Sequence, residues 1–263
     1  MDLYHQTGQT YNTTRTADPF ITGRLRILTG SEKGDKILDV GCGTGNYTLE
    51  LATTGLQLYG TDPSDQMLKV AEENDSPVIW KKGYAEKIDF PDEMFDGAIA
   101  TLTIHHWVDL AQALKELYRV LKPGSNLVIF TSTSEQMRNY WLHHYFPKMM
   151  SSAINQMPSF SKIWEYGTDA GFEITKTEKY FVAAEPEDLF LYAGKRKPEM
   201  YLDPEIRKGI SSFSDLTQAD EISSGLELLE RDIKSQKINI VRDRFDDRIG
   251  DYLFIVLSKT TGI

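Results

Sequence analysis

The stretch Ile37-Leu-Asp-Val-Gly-Cys-Gly-Thr-Gly-Asn-Tyr-Thr48 decides the fold of this chain. Its first four residues form a short apolar run that predicts a strand, and its last residues begin a helical pattern. Between them stand three glycines at alternate positions, Gly41, Gly43 and Gly45. Glycine carries no side chain, so this turn lets a ligand approach the backbone amides at the carboxyl end of the strand. The stretch therefore predicts the first strand–turn–helix unit of an α/β sheet.

The pattern downstream extends this unit into a sheet. Short apolar runs predict strands at residues 56–60, 78–80, 95–100 and 126–130. Helical patterns at residues 64–73 and 110–121 separate them, and Lys122-Pro123-Gly124 is expected to end the second of these helices. Strands that alternate with helices pair in parallel through right-handed crossovers. The fold class predicted is a doubly wound α/β sheet.

The second half of the chain predicts a mostly helical addition. Residues 135–166 are helical in pattern and rich in aromatic and methionine side chains, and residues 185–250 are mostly helical, with Thr217 and Asp220 resembling a capping box. Residues 171–182 and 252–257 read as the last two strands. We predict N-terminal helices and the core at residues 1–134, a helical lid at 135–170, and the last two strands at 171–263 with a helical insertion at 185–250. Together they are expected to form one compact domain with a cap.

Composition argues against several classes of partner. The chain carries 29 Lys and Arg against 39 Asp and Glu, a formal charge of −10, which disfavours binding to nucleic acid or to an anionic membrane. Its single cysteine, Cys42, argues against an internal disulfide and a multi-cysteine metal site, and we predict no metal. The first residues lack the basic and apolar segments of a signal peptide, so a cytoplasmic location is expected.

Two acidic residues indicate which ligand the glycine turn takes. The predicted second strand ends near Asp62, 21 residues after Gly41, where a carboxylate could accept hydrogen bonds from a ribose diol. A dinucleotide fingerprint requires a third glycine at position 46, and this position is Asn46. Asp39, two residues before the turn, would repel a pyrophosphate and attract an ammonium group. These residues favour S-adenosylmethionine, which has an amino-acid tail and no phosphate.

Four segments occur in the order and spacing of a known family: LDVGCGTGNYT, GTDPSDQML, GYAEKIDFPDEMFDGAIATLTIHHW and ELYRVLKPGSNLVIF. The chain resembles the class I S-adenosylmethionine-dependent methyltransferases, in the branch that acts on small molecules. The resemblance implies a Rossmann-like, mostly parallel sheet of seven strands. It also implies that the last strand runs antiparallel beside strand five, and that the cofactor is S-adenosyl-L-methionine.

The resemblance also implies which residues surround the cofactor: Arg15, Asp39, Gly41, Cys42, Gly43, Asp62, Pro63, Met67, Ala85, Glu86 and Thr101. Asp39 and the turn would hold the methionine tail, joined by Arg15 from a Tyr-x-x-x-Arg segment that begins at Tyr11. Asp62 would bind the ribose, and the backbone of Ala85-Glu86 would meet the adenine amine. Tyr84 departs from the family pattern, which usually has Asp or Asn just before that alanine.

Two adjacent histidines are the candidates for catalysis. His105 and His106 follow the fourth strand, and a histidine can remove a proton from the acceptor near neutral pH. We expect their side chains to point in opposite directions, with His106 as the base. His143 and His144 in the predicted lid are weaker candidates. An acceptor that is already ionised would need no base.

We therefore expect methyl transfer to a small-molecule acceptor through O, N or C by in-line displacement. No Asn/Asp-Pro-Pro-aromatic segment follows the fourth strand, which weakens methylation of a nucleobase amine. Two alternatives remain open: a non-catalytic module that binds S-adenosylmethionine, and, less favoured because of Asn46, an NAD-dependent oxidoreductase.

Overall fold

The computed structural model describes residues 14–214, 216–245 and 248–261. The chain forms two compact units. The sheet unit comprises Ala17–Thr131, Pro158–Glu178 and Leu253–Ile263, and the helical unit comprises Met1–Thr16, Ser132–Met157 and Lys179–Tyr252. The predicted segment 135–170 contributes residues to both units, and the division into core, lid and insertion stays a prediction.

The described residues contain one sheet of seven strands. The strands are β1 Lys36–Val40, β2 Gln57–Asp62, β3 Ile79–Lys82, β4 Phe95–Thr101, β5 Leu121–Thr131, β6 Glu173–Tyr180 and β7 Tyr252–Ser258, in the order β3-β2-β1-β4-β5-β7-β6. Strands β1 to β5 pair in parallel, and β7 pairs antiparallel with β5, from Asn126 opposite Ser258 to Thr131 opposite Leu253. The Rossmann-like sheet and its antiparallel last strand are confirmed.

The α-helices follow the chain in eleven segments within the described residues: α1 Pro19–Thr29, α2 Asn46–Ala52, α3 Asp65–Glu72, α4 Leu110–Val120, α5 Ser134–Met137, α6 Leu142–Tyr145, α7 Pro147–Gln156, α8 Phe160–Asp169, α9 Pro204–Lys208, α10 Ala219–Lys234 and α11 Lys237–Arg242. Short 3₁₀ helices lie at Ile104–His106, Ala193–Lys195, Pro198–Leu202, Ser211–Ser214 and Leu216–Gln218.

Side-chain caps explain why several helices begin where they do. Asp18 accepts hydrogen bonds from the amides of Phe20 and Ile21 at 2.9 and 3.1 Å, and Pro19 occupies the first turn of α1. Asp109 caps α4 in the same way. The capping box predicted from Thr217 and Asp220 is wrong, because α10 begins at Ala219 after a 3₁₀ turn that ends at Gln218.

Strand β5 begins earlier than predicted. The sequence Lys122-Pro123-Gly124 was expected to separate helix from strand, but β5 starts directly at Leu121. The register changes between Phe95 opposite Leu121 and Gly97 opposite Asn126, so the extra residues form an irregularity inside the strand. Gly124 accommodates it with a φ of +86°, a value that favours glycine.

A continuous apolar core holds the sheet unit together. Its fully buried side chains come from the central strands and from α4, and include Leu38, Phe95, Ala98, Leu114, Leu117, Ile129 and Leu257. Ile163 of α8 packs into the same cluster. The core therefore fixes the strands whose carboxyl ends carry the predicted site residues.

The helical unit has its own buried aromatic core. The rings of Tyr140 and Tyr192 stack with centroids 3.6 Å apart and planes 7° from parallel. Lys195 and Asp251 form a buried ion pair at 2.8 Å, and the indole of Trp141 donates to the Lys195 carbonyl at 3.1 Å. Tyr140 and Trp141, from the segment predicted as a lid, are thus packed in this core.

We expect Leu117→Ala in α4 to lower the free energy of unfolding by about 2–5 kcal/mol, because it leaves a cavity in a fully closed core. Urea unfolding would measure the loss. Ile27→Ala is the control, since Ile27 in α1 is 65% exposed and should change stability by less than about 1 kcal/mol. Equal losses in the two variants would contradict the placement of Leu117 in the core.

Candidate active site

The glycine turn between β1 and α2 is attached to the end of β2 by its backbone. The amides of Gly41 and Cys42 donate to the Thr61 carbonyl at 2.7 and 3.0 Å. The amide of Gly43 donates to Asp62 Oδ2 at 2.9 Å. Gly41, Gly43 and Gly45 all have positive φ, between +56° and +80°, where side chains are strained. The turn's conformation thus depends on the alternate glycines of the sequence.

The space around the turn differs from one glycine to the next. A Cβ at Gly41 would overlap the side chain of Thr103, whereas a Cβ at Gly43 would meet nothing within 4 Å. Gly41 therefore allows close packing with the segment after β4. Gly43 leaves its backbone open to a ligand, in agreement with the role expected of the turn.

Trp80 on β3 is a site residue that sequence reasoning missed. It lies opposite Gly60 in the β2–β3 register, and its indole occupies the space that a Cβ at either Gly60 or Gly45 would need. The ring thus fills the volume of two absent side chains and supports the turn. The sequence feature that could have indicated this role is a glycine in one strand opposite a large residue in the next strand, and this pairing is known only once the strand register is known.

Asp39 is a buried carboxylate with spare capacity to accept hydrogen bonds. It is 2% exposed, and its Oδ2 accepts from the Thr48 hydroxyl at 2.6 Å, while its Oδ1 has no hydrogen-bond partner. Burial raises the pKa of Asp39 to about 7, against the lowering effect of the Thr48 bond and with a further rise from nearby Asp62. A buried unpaired acceptor is costly, so Asp39 is suited to a ligand that brings a positively charged donor.

Asp62 is held between the turn and α3. Its Oδ2 accepts from the Gly43 amide, and its Oδ1 accepts from the Ser64 amide at 2.8 Å. Burial raises its pKa, and these two backbone bonds oppose the rise. A carboxylate offers about four acceptor positions, so hydrogen bonds from two ribose hydroxyls can still be added.

The remaining predicted cofactor residues of the sheet unit surround this turn or follow neighbouring strands. Cys42 stays a neutral thiol, because burial raises its pKa well above the ordinary value. Met67 is buried in α3, while Pro63 before it is exposed. Thr101 ends β4, and its buried hydroxyl has no hydrogen-bond partner. That hydroxyl is a second polar atom that a ligand could satisfy.

Ala85 and Glu86 lie in a turn closed by a bridge between Tyr84 and Lys87. Ala85 is buried. The Glu86 side chain turns to another element, since its Oε1 accepts from the amides of Val108 and Asp109 at 2.6 and 3.1 Å. This side-chain contact was not predicted, because nothing in the local sequence links residues 22 positions apart.

The two histidines lie side by side in the 3₁₀ turn Ile104–His106. Their ring centroids are 3.8 Å apart with an interplanar angle of 46°, so the prediction that they point in opposite directions is wrong. It assumed strand-like alternation, whereas a 3₁₀ turn rotates successive side chains by only about 120°. Leu102 just before the turn has a φ of +53°, a conformation uncommon for leucine that is often found at functional sites.

His106 differs from an ordinary histidine in its titration. Desolvation by neighbouring atoms lowers its pKa from 6.5 to about 4. The residue nevertheless keeps an exposed side, and this access to water moderates the lowering. With a pKa anywhere between about 4 and 6.5, the ring is mostly neutral at pH 7 and can accept a proton.

Arg15 belongs to the helical unit and has a protein partner there. Its guanidinium is paired with the buried carboxylate of Asp188, with Nε on Oδ1 and NH2 on Oδ2 at 3.2 Å. Contact of Arg15 with the cofactor stays a prediction. Tyr11 lies outside the described residues, and His143 and His144 are in α6 of the helical unit.

Among the residues that the structure describes, no group of three or more His, Cys, Asp or Glu is arranged to hold a metal ion. Within the same residues, every helix is too short or too polar to cross a membrane.

Known methyltransferases resemble this chain in sequence and in structure. A family model described as a methyltransferase domain matches residues 38–129. The human mitochondrial ubiquinone biosynthesis O-methyltransferase is 34% identical over 140 residues, which are 50% of this chain and 37% of that protein. The demethylmenaquinone methyltransferase of Anoxybacillus flavithermus is 31% identical over 174 residues, 62% of this chain and 70% of that protein.

A solved structure matches nearly the whole chain. It comes from Anabaena variabilis and is described as a methyltransferase from an antibiotic biosynthesis pathway. Its TM-score is 0.82 and its identity 33%, over 95% of this chain and 99% of that one. The chain spans between 37% and 42% of the length of the four curated relatives it matches first.

The strand order, the glycine turn and these matches define a Rossmann-like methyltransferase. The chain belongs to the class I S-adenosylmethionine-dependent methyltransferases. S-adenosylmethionine is its cofactor, and the residues present fit it. The unpaired oxygen of Asp39 suits the ammonium group, and the open face of Gly43 leaves room for the tail.

We expect Asp39→Asn to stabilise the cofactor-free protein above neutral pH. Because the carboxyl pKa is about 7 in the fold and about 3.9 when unfolded, the wild type loses stability as pH rises between these values. Asparagine removes this loss, on the order of 2–4 kcal/mol at pH 8. Urea unfolding at pH 5 and pH 8 would measure it, and calorimetry should show at least about tenfold weaker cofactor binding.

Asp96→Asn is the control, because the pKa of Asp96 is shifted in the opposite direction to that of Asp39. Partial burial raises the pKa of Asp96, but bonds from Lys122 and the Lys36 amide outweigh this and lower it. Its contribution is present above the unfolded pKa and is lost as pH falls, so this variant should be less stable than wild type at pH 8. If both variants lost stability at pH 8, the raised pKa of Asp39 would be refuted.

Gly41→Ala should disrupt the turn. The new Cβ would collide with Thr103 at a backbone angle unfavourable for alanine, so we expect a loss of about 2 kcal/mol or more in unfolding free energy, with weaker cofactor binding. Gly23→Ala in α1 is the control, because nothing lies within 4 Å of its Cβ position and alanine favours helix. Chemical denaturation of both variants provides the measurement. A Gly41→Ala protein with the unfolding free energy of the wild type would exclude the steric constraint.

Proposed function

We propose that this protein transfers the methyl group of S-adenosylmethionine to a small-molecule acceptor by in-line displacement. One observation carries the proposal. The buried carboxylates of Asp39 and Asp62 lie in the last residues of β1 and β2, and the open glycine turn and the histidine turn follow β1 and β4, so all four meet the carboxyl edge of one sheet. This edge is where α/β sheets bind their ligands. The relatives' names, which refer to ubiquinone and menaquinone biosynthesis, support a small acceptor.

The cofactor supplies a methyl carbon bonded to a positively charged sulfur, and the protein must hold the acceptor in line with that bond. Asp39 would bind the ammonium group, and Asp62 would bind the ribose hydroxyls. Gly41, with no side chain, would let Thr103 and the histidine turn lie close to the same end of β1. These contacts orient the reacting groups.

His106 would accept the acceptor's proton as the new bond to carbon forms. Its lowered pKa keeps the ring neutral at pH 7, and the adjacent ring of His105 restricts its orientation. A histidine of ordinary pKa would give the kcat–pH profile an acidic limb near pH 6–7. The fold favours a limb at lower pH, because desolvation shifts the histidine towards a pKa of about 4.

The two alternatives have less support. A non-catalytic module would explain the cofactor site but not the paired histidines at its edge. An NAD-dependent oxidoreductase would bring a pyrophosphate towards the turn that Asp39 precedes, and the matched relatives carry methyltransferase names. The cytoplasmic location stays a prediction.

A screen of small phenolic, amine and carbon-acid acceptors would test the function. The readout is formation of S-adenosylhomocysteine together with a product heavier by one methylene group. We expect turnover with at least one acceptor of these classes. Tight cofactor binding without turnover across the screen would favour the non-catalytic alternative.

His106→Ala should lower kcat by about 10²–10⁴-fold, the usual loss on removal of a general base. Cofactor affinity should change by less than about twofold, because the ring is not assigned to cofactor binding. His106→Gln is the matched variant, since glutamine forms hydrogen bonds but does not take up the proton. The kcat–pH profile should lose its acidic limb in both variants, and a limb that persists would reject His106 as the base.

A further inference from the structure

The carboxylate of Glu86 joins two segments of the site that are separate in sequence. Its Oε1 accepts hydrogen bonds from the amides of Val108 and Asp109 at 2.6 and 3.1 Å. The Glu86 carbonyl accepts a longer bond, of 3.5 Å, from the side-chain amide of Gln112. Both the main chain and the side chain of Glu86 are thus bonded to the beginning of α4.

The amides that Glu86 holds come directly after the histidine turn. Only Trp107 separates His106 from Val108, and the Trp107 amide donates back to the Ile104 carbonyl at 3.4 Å. The Val108 side chain is 92% exposed, whereas Trp107 before it packs against the apolar core. The bonds to Glu86 add a polar constraint on the exit of the histidine turn, at the position where the side chain supplies no packing.

The entry of the histidine turn is fixed independently. The Leu102 amide donates to the Phe130 carbonyl at 2.8 Å, which ties the end of β4 to β5. Between the entry and the exit, the turn contains the bond from the His106 amide to the Thr103 carbonyl, also 2.8 Å. A shift of Glu86 would therefore act on the exit of the turn, next to His106, and not on its entry.

We propose that Glu86 is a positioning residue that couples binding at the adenine site to the placement of His105 and His106. This inference rests on the proposed function, in which the Ala85-Glu86 backbone meets the adenine. A ligand that orders that turn also orders the carboxylate, and the carboxylate orders the exit of the histidine turn. The coupling passes through Glu86 alone: its backbone would contact the adenine, and its carboxylate contacts the amides that follow the histidine turn.

A simpler role would be a cap for α4, because a carboxylate at a helix N-terminus stabilises the helix. Asp109 provides a matched control for that role. It caps the same helix end, accepting from the Gln112 amide at 3.0 Å, but its carboxylate has no bond to the turn at residues 84–87 in the described contacts. Loss of Asp109 removes a cap and leaves the connection to Glu86 in place.

Amide hydrogen exchange, followed by NMR with and without S-adenosylhomocysteine, would test the coupling without an acceptor. In the wild type we expect the product to slow exchange at Val108 and Asp109 by about tenfold or more. Glu86→Ala should abolish this slowing, while Glu86→Gln should retain it through the amide oxygen. The Asp109→Ala variant should lose thermal stability but still show slowed exchange at Val108.

The turnover number kcat is a second readout, and the loss of a helix cap alone would leave it unchanged. At saturating cofactor and acceptor, Glu86→Ala should lower kcat by about tenfold or more, and Glu86→Gln should stay within about threefold of wild type. If Glu86→Ala does not fold, Val108→Pro removes one of the same bonds from the donor side. Trp107 already has the extended conformation, with ψ of 130°, that precedes proline. Val108→Pro should then lower kcat as well.

The outcomes are distinguishable. Equal slowing in the wild type and Glu86→Ala, or equal kcat losses in Glu86→Ala and Asp109→Ala, would reduce Glu86 to a helix cap and overturn the proposal. Binding of S-adenosylhomocysteine with slowed exchange but no turnover would overturn the proposed function and leave the coupling supported. Failure of the wild type to bind S-adenosylhomocysteine would overturn both.

Discussion

The site depends on one steric constraint: the backbone turn after β1 must carry no side chains on its inner face. Thr103 fills the space beside Gly41, and the indole of Trp80 fills the space beside Gly45 and Gly60. Because Thr103 and Trp80 occupy the space that glycine side chains would need, the segment after β4 and strand β3 pack directly against the turn. The glycines thus give the ligand access to the backbone and also hold three neighbouring strands at a common edge.

Electrostatics impose a second constraint on the same edge. Asp39 and Asp62 are both buried there, and burial raises the pKa of each. Asp62 recovers part of this cost through two backbone amides, whereas Asp39 has a single hydroxyl donor and one unpaired oxygen. A folded protein that keeps such a carboxylate is less stable without its ligand, which is a common trade-off between stability and binding. A cationic group at this position would relieve it.

The histidine turn is held by apolar packing on one side and by hydrogen bonds at its two ends. Ile104 within the turn and Trp107 after it pack against the core of the sheet unit. The Phe130 carbonyl accepts from the Leu102 amide at the entry, and the Glu86 carboxylate accepts from the Val108 amide at the exit. His106 and Val108 are exposed on the other side, so the turn presents the histidine from a segment that is anchored on both sides.

The sequence by itself determined the strand–turn–helix unit and, through family resemblance, the seven-stranded sheet with its antiparallel last strand. These features depend on short-range patterns: alternation, helical spacing, and residues that favour one backbone conformation. Local patterns also misled, since Lys122-Pro123-Gly124 lies inside β5 and not before it, and Thr217 begins no α-helix.

Only the tertiary structure decided the contacts between distant segments. Trp80 meets Gly60 through strand register, Glu86 reaches Val108 across 22 positions, and Arg15 meets Asp188 across 173. It also decided that His105 and His106 lie ring against ring. The physical reason is that periodicity specifies which face of an element a residue occupies, whereas the residue opposite that face is set by how the elements are brought together in space.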